Sequence, residues 1–177
     1  MLFLKNQSGT VLPLTALMLP IILGFGVLAL ESGQAYIRQS EINQLAYQAA
    51  NTGLVRITET LEIQAKSNYQ RDCNVEEPPS KCSSSELFSF LSASEISAIV
   101  NNETVKTDVI EATEAFVKNY DPQTRSVQTS VVFPFNASQQ SVGIEVTVTD
   151  TSTPQIISGL LPSQDFSVVR QAKLALQ

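Results

Sequence analysis

The feature that most constrains the fold is an uncharged segment near the amino terminus, from Thr10 to Leu30. An α-helix rises about 1.5 Å per residue, so this segment would measure roughly 32 Å, close to the ~30 Å hydrocarbon core of a bilayer. The segment therefore predicts a single transmembrane helix at 10–30. Lys5 precedes it, and basic residues on short flanks orient a span. We therefore expect residues 1–9 in the cytoplasm and the rest of the chain exported.

A cleaved secretory signal peptide is the alternative interpretation of the same segment. Val27 and Ala29 are small enough to occupy the two critical positions before a cleavage site. The apolar region of a signal peptide is usually about 7 to 15 residues long, however, and this one is longer. We therefore expect a retained span, and a mature terminus at Leu30 would indicate cleavage.

Small residues recur along this helix and along the segment that follows it. Gly26, Ala29 and Gly33 lie at helical spacing, which predicts a slim face that a partner helix can approach closely. Beyond the membrane, apolar residues continue at three- and four-residue steps, which predicts an amphipathic stem helix at 31–67 joined directly to the span. Three small residues of this stem extend the predicted packing face: Ala46, Ala49 and Gly53.

The stretch at 8–55 resembles the amino-terminal region of the TadE/TadG-like proteins of bacterial tight-adherence (Flp-type) pilus systems. The resemblance is carried by Gly9 before the apolar run, by the step from Ala16 to Pro20, and by an acidic residue followed by Gly33 and Tyr36. It is closest to the TadG branch. An alanine-rich continuation completes it: Gln44-Leu45-Ala46 and Ala49-Ala50.

The resemblance implies a minor pilin-like or assembly component that packs its helix with other pilins or with inner-membrane proteins of the same system. TadG-like members usually carry Asp at the acidic position, where this chain has Glu31. At the membrane boundary this carboxylate either pairs with a neighbouring subunit or reaches interfacial water. Prepilin-type cleavage after Gly9 is implied by the pilin-like members, which carry Glu five residues later. This chain has Leu14 there, which argues against processing.

Residues 68–177 predict an exported head domain of the α+β class. Helices are expected over ELFSFL, at Ser94–Val100, at Asp108–Tyr120 and over PQIISGLL. Alternation with a period of two predicts strands in three places: 127–133, 142–148 and 166–175. We therefore expect a three- or four-stranded antiparallel sheet packed against the stem helix and the 108–120 helix.

The chain contains two cysteines, Cys73 and Cys82. In an exported head they would lie in an oxidising compartment, where we expect them to form a disulfide; two free thiols are the alternative. Closing so short a loop would stabilise the head by about 2 to 3 kcal/mol, because the bond restricts the unfolded chain.

Composition argues against several kinds of chemistry. The chain has no His, so Ser-His and Cys-His dyads and most zinc and haem sites lack their imidazole. The net charge of −6 has the wrong sign for a phosphate backbone. Adjacent or helix-spaced acids such as Glu76-Glu77 and Asp108-Glu111 are typical of solvated surfaces. We therefore expect no enzyme activity, metal, cofactor, nucleic acid or small-molecule substrate. A membrane-anchored binding or sensor domain is the first alternative, and a tethered periplasmic enzyme is the second.

Overall fold

Helices and a small sheet make up the computed structural model, which describes residues 8–74, 82, 86–120, 127–138, 141–152 and 164–176. The fold belongs to the α+β class that the sequence predicts. In chain order, the described elements are α1 (Ser8–Cys73), a 3₁₀ helix (Leu87–Phe90), α2 (Ala93–Val100), α3 (Glu103–Tyr120), β1 (Gln128–Ser138), β2 (Ser141–Ser152) and β3 (Gln164–Ala175).

Helix α1 is a single helix of 66 residues that contains both the predicted span and the predicted stem. It extends past the predicted end at residue 67 and stops at Cys73. Its second half is amphipathic, because residues at three- and four-residue steps turn one apolar face into the core. These buried side chains are Ile42, Leu45, Ala46, Ala49, Ala50, Ile57, Leu61 and Ala65.

One compact unit contains Glu41–Ser152 and Asp165–Gln177, and the first forty residues fall in another. We call the first of these units the head. Helix α1 from Glu41 onward therefore belongs to the head. The physical reason is the buried apolar face of α1, which supplies one side of the core.

The sheet has the order β1-β2-β3 and places β2 in the centre. Strands β1 and β2 pair antiparallel, with Val131 opposite Val146. Pairing of β2 with β3 is accompanied by a side-chain hydrogen bond from Gln171 to Glu145. Every second residue of β2 faces the core and is fully buried: Val142, Ile144, Val146 and Val148.

Strand β1 continues beyond the predicted end at residue 133 to Ser138. Its register against β2 shifts between Val132 and Phe135 and again before Ser138. Asn136 has a positive φ of 46° within this irregular part, a conformation that Asn tolerates better than most residues.

Side-chain caps mark the first residues of α2 and α3. Ser92, rather than the expected Ser94, caps α2, and Glu95 completes a capping box with it. Helix α3 starts at Glu103, before the predicted Asp108, and Asn102 Oδ1 accepts a 2.9 Å hydrogen bond from the Thr104 amide at that end.

One face of α3 is buried, at Val109, Thr113 and Val117. Tyr120, the last residue of the helix, is exposed. The segment ELFSFL forms the 3₁₀ helix instead of an α-helix. The predicted PQIISGLL helix and Glu76-Glu77 lie outside the described residues.

Candidate interaction surfaces

The first half of α1 exposes a continuous run of large apolar side chains. An 18-residue window of this helix has a mean hydropathy of 1.9, and none of it is buried within the protein. Soluble monomers rarely expose apolar patches of this extent. Within the described part of the chain, α1 is the helix long and apolar enough to cross a membrane. The exposed side chains include Leu17, Met18, Leu19, Ile21, Ile22, Leu23, Phe25, Leu28 and Leu30.

The predicted packing residues Gly26, Ala29 and Gly33 are all exposed on this part of α1. A Cβ atom built at Gly26 or Gly33 meets nothing within 4 Å. The described part of the chain therefore gives no steric reason for glycine at these two positions. Glu31 lies on the same stretch of helix, and its side chain is half-buried.

The other three predicted packing residues have a different environment. Ala46 and Ala49 are fully buried in the core of the head. A Cβ atom at Gly53 would lie 2.5 Å from Thr113 Oγ1 of α3, so this glycine permits close packing inside the chain. The sequence pattern predicts that these residues pack against a partner helix. The structure corrects that interpretation, because all three residues pack within the head and the neighbours of Gly53 are side chains of α3 and β2 of the same protein.

The predicted disulfide between Cys73 and Cys82 is confirmed. Their Cα atoms are 5.6 Å apart, within the range that a disulfide spans. The bond fixes the carboxyl end of α1 to the chain that leads into the 3₁₀ helix. Next to it, the rings of Tyr69 and Phe90 make an edge-to-face contact with centroids 5.1 Å apart.

A buried amide near this end of α1 was missed by the sequence analysis. Asn68 is 1% exposed. Its Nδ2 donates to the Phe90 carbonyl at 2.9 Å and to Glu95 Oε1 at 3.0 Å, while its Oδ1 accepts from Gln64 Nε2 at 3.1 Å. The capping box of Ser92 and Glu95 can be predicted from the local sequence. The contact of Glu95 with Asn68 cannot, because the two residues are distant in the sequence. This network ties α1 to α2.

The same network lowers the pKa of Glu95. The main cause is the hydrogen bond that Ser92 Oγ donates to its carboxylate at 2.7 Å, followed by bonds from the Ser92 amide and from Asn68. All three donors stabilise the ionised form. The ionised carboxylate of Glu95 therefore stabilises the amino-terminal end of α2.

A second charged contact joins α1 to α3. Arg56 donates from Nε to Asp108 Oδ2 at 2.7 Å and from a terminal nitrogen to Asp108 Oδ1 at 3.1 Å. This two-point hydrogen bond lowers the pKa of Asp108. Glu111, which shares a predicted helix face with Asp108, is exposed, and so is Glu114. Among the residues that the structure describes, no group of three or more His, Cys, Asp or Glu side chains is placed to hold a metal ion.

The edges of the described sheet are poorly suited to adding another strand. Arg170 lies between Val168 and Ala172 on the core-facing side of β3, and its Nε donates to Asn43 Oδ1 of α1 at 2.7 Å. An inward-pointing charge on an edge strand discourages pairing with a further strand. On the opposite edge, β1 contains Pro134 and two register shifts. Strand addition is therefore not the binding mode that this sheet favours.

An open cleft of about 780 Å³ lies between α2 and the end of the β1-β2 hairpin. Three of its apolar lining residues, Ile96, Val100 and Val142, are buried, whereas Ala93 and Ala137 are exposed. The remaining lining consists mainly of serine side chains and one asparagine, and none of the described lining residues is ionisable. The cleft was not predicted, because it is formed by residues of α2 and the hairpin that are far apart in the sequence.

Comparisons with known proteins identify no relative: no family model, no curated protein and no solved structure matches the chain.

Proposed function

We propose that the protein is a single-span envelope protein of the TadE/TadG-like kind, a non-enzymatic minor pilin-like or assembly component of a tight-adherence pilus. The observation that carries this proposal is the contrast along α1. Large apolar side chains from Leu17 to Leu30 are exposed, whereas those from Ile42 onward are buried in the head. The exposed part needs lipid or another protein's helix around it.

The proposed orientation places the amino terminus in the cytoplasm and the head outside the inner membrane. Lys5 before the span supports it, and so does the Cys73–Cys82 bond, because disulfides persist in oxidising compartments. Protease added to spheroplasts should degrade the head. A chain that stays intact under those conditions would contradict the orientation, and a mature terminus at Leu30 would indicate a signal peptide.

The proposed mechanism is helix packing within the membrane. Gly26 and Gly33 are two turns apart on one helix face, and Ala29 lies beside them, so a partner backbone can approach this face closely. Dispersion contacts and short interhelical distances then hold the partner. The three small residues of the head, including Gly53, are left out of this surface because they pack within the chain.

Leucine substitutions test this surface, and the chain offers a matched control. Gly26→Leu and Gly33→Leu should reduce crosslinking to pilus components and the number of surface fibres several-fold, while membrane levels stay constant. Gly24→Leu adds the same bulk on nearly the opposite helix face, where a Cβ atom also meets nothing within 4 Å. It should leave both readouts unchanged. Equal readouts for all three variants would overturn the proposal.

Glu31 is the proposed register-setting charge of the same surface. Its carboxylate lies just past the uncharged run, where a basic group of a neighbouring subunit would be a strong partner. Glu31→Gln keeps the size of the side chain and removes the charge, so it should weaken association. Full crosslinking by this variant would assign Glu31 to the membrane interface alone.

A membrane-anchored binding domain is the second candidate function, and the cleft beside α2 is the observation that favours it. Substitutions in the cleft distinguish the two candidate functions. Substitutions in the cleft should leave pilus crosslinking unchanged if the helix face carries the function. They should abolish ligand binding if the head is a receptor.

A further inference from the structure

We infer that Tyr36 and Ile37 anchor α1 in the lipid headgroup layer at the carboxyl-terminal end of the span. The inference rests on the proposed single span and adds to it a lipid-contacting surface beyond the uncharged segment. The partner of this surface is the headgroup layer itself, where the aromatic rings of membrane proteins are enriched.

Both side chains are large and exposed. Tyr36 is 75% exposed, the highest value among the large apolar side chains of the described residues, and Ile37 is 58% exposed. Ile42, farther along the same helix, is 2% exposed and belongs to the core of the head. The exposed apolar surface of α1 therefore continues past Leu30, the last residue of the uncharged segment, to Ile37.

The position of Tyr36 along α1 fits the thickness of the headgroup layer. Tyr36 follows Leu30 by six residues, which is a rise of about 9 Å along the helix. Helical side chains lean toward the amino terminus of their helix, so we expect the ring of Tyr36 to extend back toward the span. The headgroup layer on each side of the hydrocarbon core is roughly 5 to 8 Å thick. The ring is therefore expected within this layer.

The chemistry of the segment also suits a headgroup layer. Tyrosine combines an apolar ring with a hydroxyl that forms hydrogen bonds with water and phosphate. Ser32, between Leu30 and Tyr36, donates its hydroxyl to the Leu28 carbonyl of the same helix at 2.8 Å. This bond satisfies the hydroxyl within the helix, so Ser32 enters a poorly hydrated layer at little cost.

An anchor at this position bears on the proposed helix face. Gly26, Ala29 and Gly33 meet a partner helix only when both helices lie at matching depth in the membrane. Interfacial anchors help to set how a helix sits in a bilayer. Contact of Tyr36 with the headgroup layer therefore fixes the depth of this face and the depth of Glu31.

Single-tryptophan variants measure the depth directly, because the chain has no Trp. The full chain is reconstituted in phosphatidylcholine vesicles that carry a nitroxide either on the headgroup or deep in the acyl chain. Emission of the Tyr36→Trp variant should be quenched several-fold more by the headgroup nitroxide than by the acyl-chain nitroxide. Phe25→Trp should show the opposite preference. Tyr47→Trp, about 25 Å beyond Leu30 along α1, should be quenched by neither.

The three variants separate failure of the anchor from failure of the span. If Tyr36→Trp is as weakly quenched as Tyr47→Trp while Phe25→Trp is quenched by the acyl-chain nitroxide, the inference is overturned and the span stands. That outcome would assign Tyr36 to contact with another protein. If the acyl-chain nitroxide does not quench Phe25→Trp, the span itself is overturned.

A second set of variants tests whether this contact holds the helix in place. In the Phe25→Trp background, replacing both Tyr36 and Ile37 by Ser should change the ratio of headgroup to acyl-chain quenching, because α1 is then free to shift along the membrane normal. Tyr47→Ser in the same background is the matched control and should leave the ratio unchanged. Equal ratios in the two proteins would overturn the anchoring role.

Discussion

Gly53 of α1 lies so close to Thr113 of α3 that a Cβ atom on the glycine would stand 2.5 Å from the threonine Oγ1 and would also overlap the side chain of Ile144. Thr113 is itself held, because its hydroxyl donates to the Val109 carbonyl at 2.7 Å. The two helices and β2 therefore meet at a point where only glycine fits. This contact fixes how α1 packs in the head.

Gly53→Ala should lower the free energy of unfolding of the head by about 1 to 3 kcal/mol, because an added methyl group overpacks a filled site. Thermal unfolding followed by near-UV circular dichroism measures the effect. Gly33→Ala is the matched control, since a Cβ atom there meets nothing within 4 Å, and its unfolding should not change. Equal melting of the two variants would contradict the close contact.

The low pKa of Glu95 predicts a loss of stability in acid. Its folded pKa is below the ordinary value of 4.5, so the unfolded chain binds the proton more readily. The stabilisation is fully present above about pH 4.5 and is lost as the pH falls through the folded pKa. Between about pH 5 and 3, the unmodified protein should lose more stability than Glu95→Gln, in which the capping box remains but the titrating group is gone.

Asp108 also has a lowered pKa, but it is present in both proteins, so its effect cancels in this comparison. Glu111→Gln, at an exposed site of α3, is the control and should follow the unmodified protein across the whole pH range. Parallel acid curves for the unmodified protein and Glu95→Gln would show that the hydrogen bonds from Ser92 and Asn68 do not stabilise the charge.

The disulfide at the end of α1 should contribute measurably to the stability of the head. Replacing both Cys73 and Cys82 by Ser should lower the free energy of unfolding by about 2 to 3 kcal/mol, because the bond restricts the unfolded chain; a longer loop would give a larger loss. Urea unfolding measures this loss. A reducing agent should destabilise the unmodified protein by a similar amount and leave the double variant unaffected. If it destabilises the double variant as well, the loss of stability does not come from breaking the disulfide.

Periodicity in the sequence predicted α1, α3 and the three strands, because a helix face or strand face that packs in a core leaves a repeat of 3.6 or 2 residues. Periodicity does not predict which element or protein a given residue packs against. The small size of Gly53 is visible in the sequence, but whether α3 or another protein fills the space beside it is not. Asn68 likewise contacts Phe90 and Glu95 through long-range packing, which no local pattern encodes.

Arg170 should protect the edge of the sheet from pairing with another strand. Its side chain lies on the core-facing side of β3 and donates to Asn43, so a strand added at this edge would have to accommodate a charge at an apolar position. Arg170→Val removes that charge and lengthens the apolar face of an edge strand, and the variant should aggregate faster at equal concentration. Light scattering during mild heating measures the rate. Arg170→Lys keeps a charge at the same position and should aggregate at nearly the unmodified rate. If both variants aggregate equally fast, the hydrogen bond to Asn43, and not the inward charge, protects the edge.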